Sequence, residues 1–193
     1  KLVIKVGEAL SVLKSLAARH NVRAIYSHYE TWNKFSKDRD LAIRKWTEEK
    51  SIDWKEYQQN GVVRNLNSRD GWSALWHSHM RKKIYEVPEK IFCISEDSDQ
   101  LPSFRDLQLE FDGFEPCTNF GKSEPGIVLK SFLSERGENY QREMSGPLLS
   151  ADSCSRLSTH IAFGTISIRT IFQRTQEQTR KRLDLVEDKI KNW

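Results

Sequence analysis

The feature that most restricts the fold is an alternation, along the first half of the chain, of short apolar runs with longer segments of helical periodicity. Residues 2–6 and 22–27 are short, mainly apolar runs that are predicted to be strands, and residues 52–57 form a third short element. Residues 8–20 and 37–50 carry apolar side chains three and four positions apart, as amphipathic helices do. Strands that alternate with helices at this spacing favour a parallel sheet with crossover helices, so we predict an α/β fold here.

This pattern breaks down between residues 87 and 126, where four prolines interrupt it and residues 95–99 form an acidic stretch that we expect to be solvated. A structureless loop of such length is unusual inside one domain, which indicates a domain boundary. We therefore predict an α/β domain over residues 1–90, a connection over 91–126 and the beginning of an all-α domain over 127–193. The abrupt first strand and the uncapped last helix lead us to expect further residues beyond both ends.

Composition and charge indicate which partners and which cellular location the protein is expected to have. Of the 193 residues, 31 are Lys or Arg and 27 are Asp or Glu, and the resulting net charge of +4 is compatible with a polyanionic partner. No apolar run approaches the roughly 20 residues that span a bilayer, so we expect no membrane partner. The three cysteines are widely spaced and odd in number, which favours a reducing cytoplasmic location over a disulfide framework.

Three hydroxyl groups and one guanidinium are concentrated in the run Ser-Cys-Ser-Arg-Leu-Ser at residues 153–158, directly before a segment with helical apolar spacing. The first turn of a helix offers free amide groups and a positive dipole end, and serine hydroxyls add hydrogen bonds, so such a run can bind phosphate. The alternative is that one serine merely caps the helix and the others are solvated. Composition alone favours capping.

This run, followed by Phe-Gly-Thr-Ile-Ser-Ile-Arg at residues 163–169, resembles the flavin-binding entry segment of the DNA photolyase and cryptochrome family. The family pattern is Thr/Ser-Ser-x-Leu-Ser and then Phe-Gly-x-Ile-Ser-x-Arg, and Tyr140 matches a family tyrosine that touches the flavin phosphates. The resemblance implies FAD as cofactor, contacted by Tyr140, Cys154, Ser155, Arg156, Leu157 and Ser158. Cys154 departs from the pattern because its thiol, a weaker hydrogen-bond donor, replaces the usual hydroxyl.

A second resemblance concerns residues 27–31 and 39–41, which are similar to a strand end and the following helix of the photolyase antenna domain. Ligands of open α/β sheets bind beyond the carboxyl ends of the strands, so His28 and Glu30 are predicted to contact an antenna chromophore of folate or flavin type. The alternative is a polar loop between strand and helix, in which Glu30 is solvated and His28 makes a local hydrogen bond.

Four aromatic side chains between residues 72 and 79 allow other interpretations. Trp72 and Trp76 lie near several arginines and could stack on nucleic acid, but side chains four residues apart more often pack one helix face against a core, and we predict packing. His77 and His79 have no third ligand at a useful metal spacing. We therefore expect them at surface or interdomain positions.

The resemblance implies a function for the parent protein. It would be a lyase that repairs UV-damaged DNA in light, by electron transfer from FAD to a flipped-out cyclobutane pyrimidine dimer. The residues that contact the lesion cannot be placed in this sequence, so we expect these 193 residues to be inactive alone. A cryptochrome, which shares the flavin site but acts as a blue-light receptor without repair, is the alternative. A scaffold that binds no flavin is a third hypothesis.

Overall fold

A computed structural model describes residues 2–110, 113 and 124–191 of the chain. It contains helices and one small parallel sheet. In chain order the elements are α1 (Ala9–Arg19), β1 (Ala24–His28), α2 (Lys34–Glu49), β2 (Asp53–Tyr57), α3 (Trp72–Met80), α4 (Pro125–Ser131), a π turn (Phe132–Arg136), α5 (Tyr140–Glu143), α6 (Ser150–Ser153), α7 (Ser158–Ala162) and α8 (Ile168–Lys191). No helix in the described ranges is long and apolar enough to cross a membrane.

Contacts divide the chain into two units. The first combines Lys1–Asn65 with Glu86–Glu115, and the second combines Leu66–Tyr85 with Pro116–Trp193. Helix α3 therefore belongs with the helices of the C-terminal half, although it precedes the long loop in sequence. The three domains predicted from the sequence stay a prediction, because contacts do not test which part folds independently.

The first unit contains the sheet. Strands β1 and β2 run parallel, with Ala24 opposite Asp53 and His28 opposite Tyr57, and α2 is the connection between them. Ile43 and Trp46 of α2 are buried, and α1 and α2 pack against each other. These contacts confirm the predicted combination of a parallel sheet with a crossover helix, at the level of two strands.

Side-chain caps fix where the first two helices begin. The Glu8 carboxylate accepts hydrogen bonds from the amides of Leu10 (3.0 Å) and Ser11 (2.7 Å), so α1 begins directly after it. Asn33 and Ser36 form a reciprocal capping box at the beginning of α2, in which each side chain bonds the backbone of the other. The capping box extends α2 to earlier residues than the apolar spacing predicted.

The strand predicted over residues 2–6 is wrong. The carbonyl of Ile4 accepts a hydrogen bond from the amide of Asp99 (2.8 Å), and the amide of Val6 donates to the Asp99 carboxylate (2.8 Å). The segment is extended but bonds to a loop rather than to a neighbouring strand. Two of the three hydrogen bonds that its backbone makes to described residues go to side chains, those of Ser98 and Asp99, and so no backbone ladder of the kind that a strand requires is formed.

All the regular elements in the described residues of the second unit are helices, and α3 packs on α8. The Trp76 ring meets the Phe172 ring edge to face at a centroid distance of 5.2 Å, and the Gln173 amide donates to the Met80 carbonyl at 2.9 Å. The predicted packing role is thus confirmed for Trp76, whereas Trp72 is 38% exposed. Buried Met80 lies at the end of the same helix.

The surface interpretation of the histidines is wrong for His79, which is 7% exposed. Neither of its ring nitrogens has a hydrogen-bond partner in the described part of the chain. Burial, reinforced by the nearby charges of Arg169 and Lys82, lowers the pKa of His79, so the ring is neutral. The apolar spacing of α3 did not reveal this burial, because histidine occurs on both buried and exposed helix faces.

Candidate phosphate-binding loop

Residues 154–157 connect α6 to α7; together with Ser158, the first residue of α7, they are here called the site loop, which contains most of the predicted flavin contacts. Cys154 is extended (φ −75°, ψ 157°), Arg156 lies in the left-handed region (φ 58°), and Leu157 returns to the right-handed region (φ −96°, ψ −7°). The Leu157 side chain is only 3% exposed and anchors the loop in the core of the second unit. Polar residues on either side of this anchor are thereby held near the surface.

Arg136, the last residue of the π turn, holds the other side of the site loop. Its Nη1 donates to the carbonyl of Cys154 (2.5 Å) and its Nη2 to the carbonyl of Ser155 (3.4 Å). The same guanidinium donates to the Ser131 hydroxyl and to the carbonyl of Val128, both at 3.0 Å. One side chain therefore fixes two successive carbonyls of the loop against the end of α4.

These bonds determine where the loop amides point. In a trans peptide the N–H and C=O groups point in opposite directions, so the amides of Ser155 and Arg156 face away from the guanidinium. Within the described residues, the amides of Ser155, Arg156 and Ser158 donate no hydrogen bond. A left-handed residue followed by a right-handed one, as at Arg156 and Leu157, turns the amides of Arg156, Leu157 and Ser158 toward one side, as in an anion-binding nest, and the middle one of these amides makes the weak bond to the Ser155 hydroxyl (3.4 Å).

The contribution of the helix dipole is small here, because α7 contains only five residues. The sequence predicts anion binding at the beginning of a helix, and the amides without a hydrogen bond among the described residues are those of Ser155 and Arg156 in the loop and of Ser158 at the start of α7. Loop amides bind phosphate by direct hydrogen bonds, which do not need a long helix.

The side chains of the site loop divide into two groups. Ser155 is half-buried and its hydroxyl accepts a weak bond from the Leu157 amide (3.4 Å), which leaves the hydroxyl proton free to be donated, and Ser158 is exposed. The Arg156 Nε donates to the carbonyl of Ala151 at 2.9 Å, and the Cys154 thiol lies 3.8 Å from the same oxygen. These two side chains are engaged by α6, and the contribution of Arg156 to an anion site is its backbone amide.

Tyr140 begins α5 in the same unit. Its ring meets Phe132 edge to face at 5.7 Å and is 44% exposed. Glu143 of α5 accepts a hydrogen bond from the hydroxyl of buried Ser153, and this bond links α5 to the helix that leads into the site loop. Ser153 is therefore structural, while the contact of Tyr140 with a flavin phosphate stays a prediction.

The two candidate antenna residues differ in their surroundings. Glu30 lies at a cavity of about 470 Å³ beside the beginning of α2, whose other lining residues include Trp32, Lys37 and Arg64. His28 does not line this cavity and is exposed at the end of β1. Arg64 donates to the Glu30 carbonyl, so the backbone of Glu30 is held locally. Chromophore binding by either residue stays a prediction.

Sequence reasoning missed Arg136. It lies 18 residues before Cys154 in the chain, and its contact with the site loop depends on a π turn, for which apolar periodicity gives no signal. The only local sign is the following Gly137, which indicates a helix end but not what the preceding arginine binds.

Comparison with known proteins does not assign the chain to a family. A scan against models of protein families finds no match for the chain. A search of the curated proteins also finds no match. The resemblance of residues 140–169 to photolyases therefore remains an interpretation of the motif, and the geometry of the site loop has to support a function by itself.

Proposed function

We propose that the chain belongs to a light-driven flavoprotein of the photolyase type, which binds FAD and repairs cyclobutane pyrimidine dimers in UV-damaged DNA. The observation that carries this proposal is the group of amides at Ser155, Arg156 and Ser158, which donate no hydrogen bond to any described residue, next to the half-buried hydroxyl of Ser155 and the exposed Ser158. This donor set suits the diphosphate of a dinucleotide cofactor, since phosphate oxygens accept hydrogen bonds from backbone N–H groups arranged in a nest. The same residues are the ones that the family motif assigns to FAD.

The residues of the loop would take different parts in binding. Ser155 and Ser158 would donate through both backbone and hydroxyl, and Arg156 through its amide. Leu157 holds the loop in place through burial. Tyr140, on the neighbouring α5, would add a phenol hydroxyl. Cys154 would contribute least, because its thiol already faces the Ala151 carbonyl and is a weak donor.

Bound FAD, once fully reduced by an external donor, would supply an electron on excitation by light to the dimer, whose ring would split and return the electron to the flavin. The protein's share is to hold the cofactor and to bind the damaged strand. The net charge of +4 supports binding of the DNA backbone by phosphate pairing. An antenna chromophore at Glu30 and His28 is part of the same proposal, with Glu30 the better supported because it lines a cavity.

The test is flavin binding followed by a repair assay. The purified protein is saturated with FAD, freed of excess cofactor, and examined for flavin absorption and for photoreduction under blue light. The repair assay uses the longer parent protein, which is illuminated with dimer-containing oligonucleotide in the presence of an added reductant, and dimer loss is measured. We expect stoichiometric flavin in the 193-residue chain and light-dependent loss of dimers with the parent protein.

A matched pair of variants assigns the binding to the site loop. Ser158→Ala removes an accessible hydroxyl and is expected to weaken FAD binding about tenfold, since a hydrogen bond to a charged group contributes about 1.5–3 kcal/mol. Thr175→Ala, on α8, removes a hydroxyl that bonds only the Ile171 carbonyl of its own helix and is the control. Absence of flavin from the saturated wild type would refute the proposal. Photoreduction without dimer loss would support a cryptochrome-type receptor instead.

A further inference from the structure

We infer that Arg136 is the positioning residue of the site loop, and that the loop can bind a diphosphate only while this guanidinium holds its carbonyls. The inference rests on the proposed flavin binding for its ligand but not for its geometry. Arg136 does not contact the phosphate in this arrangement. It acts through the backbone of Cys154 and Ser155, whose carbonyls it binds.

The arrangement requires two donors in fixed relative positions. The carbonyls of Cys154 and Ser155 belong to successive peptides, and the planar guanidinium presents Nη1 to one and Nη2 to the other. With both carbonyls held, the following amides face the opposite side of the loop together. Without the guanidinium these peptides could rotate, and the left-handed conformation of Arg156 would lose one of the contacts that maintain it.

The guanidinium is itself held in place by the π turn. A π turn closes its hydrogen bond between residues five apart, so Arg136 lies above Ser131 and donates to its hydroxyl. It also donates to the Val128 carbonyl near the end of α4, and its charge lies 5.9 Å from the centre of the Phe132 ring. These contacts leave the side chain little freedom, so it can impose a conformation on the loop.

Substitutions of Arg136 can separate the effect of its charge from the effect of its planar shape. Arg136→Lys retains the positive charge, but an ammonium on a flexible stem cannot present a planar fork to two carbonyls and still reach Ser131 and Val128. Arg136→Gln removes the charge and most of the donors. The control is Arg174→Gln on α8, which removes an exposed guanidinium paired only with Glu177.

Two measurements are made on the purified protein. The first is the dissociation constant for FAD. We expect both Arg136 variants to bind FAD about tenfold or more weakly, in line with the loss of charged hydrogen bonds, and Arg174→Gln to bind as the wild type does. Circular dichroism establishes that each variant is folded, and Arg136→Lys serves where Arg136→Gln does not fold.

The second measurement needs no flavin. The rate at which a thiol reagent modifies Cys154 is followed by mass spectrometry of its peptide, with and without inorganic pyrophosphate. We expect pyrophosphate to slow the modification in the wild type and in Arg174→Gln. In both Arg136 variants we expect faster modification that pyrophosphate does not slow, because the loop is no longer held.

The outcomes distinguish this inference from the proposed function. FAD binding by Arg136→Lys at wild-type strength would overturn the inference and leave the flavoprotein proposal intact. Unchanged modification and unchanged pyrophosphate protection in the Arg136 variants would overturn it as well, whether or not FAD binds. A wild type that binds no FAD, but whose pyrophosphate protection depends on Arg136, would refute the flavin proposal and support the positioning role.

Discussion

His79 shows what one buried polar residue does to stability. Both of its ring nitrogens are buried without a partner among the described residues, and each such group costs about 1–3 kcal/mol of desolvation. We expect His79→Leu to raise the free energy of unfolding at pH 7 by about 1–2 kcal/mol, because an apolar side chain needs no partner there. Chemical denaturation of the two proteins measures the difference, and His28→Gln at an exposed position is the control.

His79 also makes the stability of the protein depend on pH. Because the pKa of His79 in the folded protein lies below its ordinary value of 6.5, the unfolded chain takes up a proton that the folded protein resists. The titration of His79 therefore leaves the free energy of unfolding unchanged well above pH 6.5, and it lowers this free energy as the pH falls from there through the folded pKa. We expect His79→Leu to flatten this part of the stability profile. A variant that keeps the wild-type slope would contradict the role assigned to His79.

The π turn is the element on which the site loop depends, and Gly137 is the residue that permits it. The Gly137 amide closes the turn on the Phe132 carbonyl (2.9 Å), and a Cβ at this position would lie 2.7 Å from that oxygen and 2.9 Å from the Phe132 ring. We expect Gly137→Ala to destabilise the protein by about 1–3 kcal/mol, as overpacking does, and to weaken FAD binding through Arg136. Urea denaturation and flavin titration measure the two effects.

The matched control is Gly126→Ala in α4, where an added Cβ meets nothing within 4 Å. There we expect a gain of up to about 1 kcal/mol, because alanine favours a helix over glycine. Equal effects of the two substitutions would show that Gly137 has no special role in the turn.

Helices and strands could be predicted from the sequence where the pattern that indicates them lies in neighbouring residues. The apolar spacing of α1 and α2, and the strand character of β1, are properties of neighbouring residues. The shape of the site loop was not predictable, because it depends on Arg136, 18 residues away, and on a turn that lacks a sequence signature. The motif at 153–158 pointed to phosphate, but it could not show that Ser153 is buried against Glu143.

At the scale of the whole molecule, the first unit joins residues that are far apart in the chain through Glu96. This carboxylate binds Lys5 (3.0 Å), Arg19 (2.7 Å) and His20 (2.7 Å), and its side chain is only 11% exposed. The sequence suggested a solvated acidic stretch, which is wrong for Glu96. Local charge density could not show that three basic groups from the first 20 residues converge on it.

Glu96 predicts how the first unit responds to acid. Its hydrogen bonds to His20, Lys5 and Arg19 lower its pKa from 4.5 to about 2, so the folded protein keeps the carboxylate charged where the unfolded chain takes up a proton. The stabilisation is complete above about pH 4.5 and is lost as the pH falls toward 2. We expect Glu96→Gln to lower the urea midpoint at pH 7 and to remove most of the decrease between these pH values. Glu89→Gln, at an exposed position of the same loop, should leave the profile unchanged, and equal profiles for all three proteins would show that Glu96 does not hold the loop to α1.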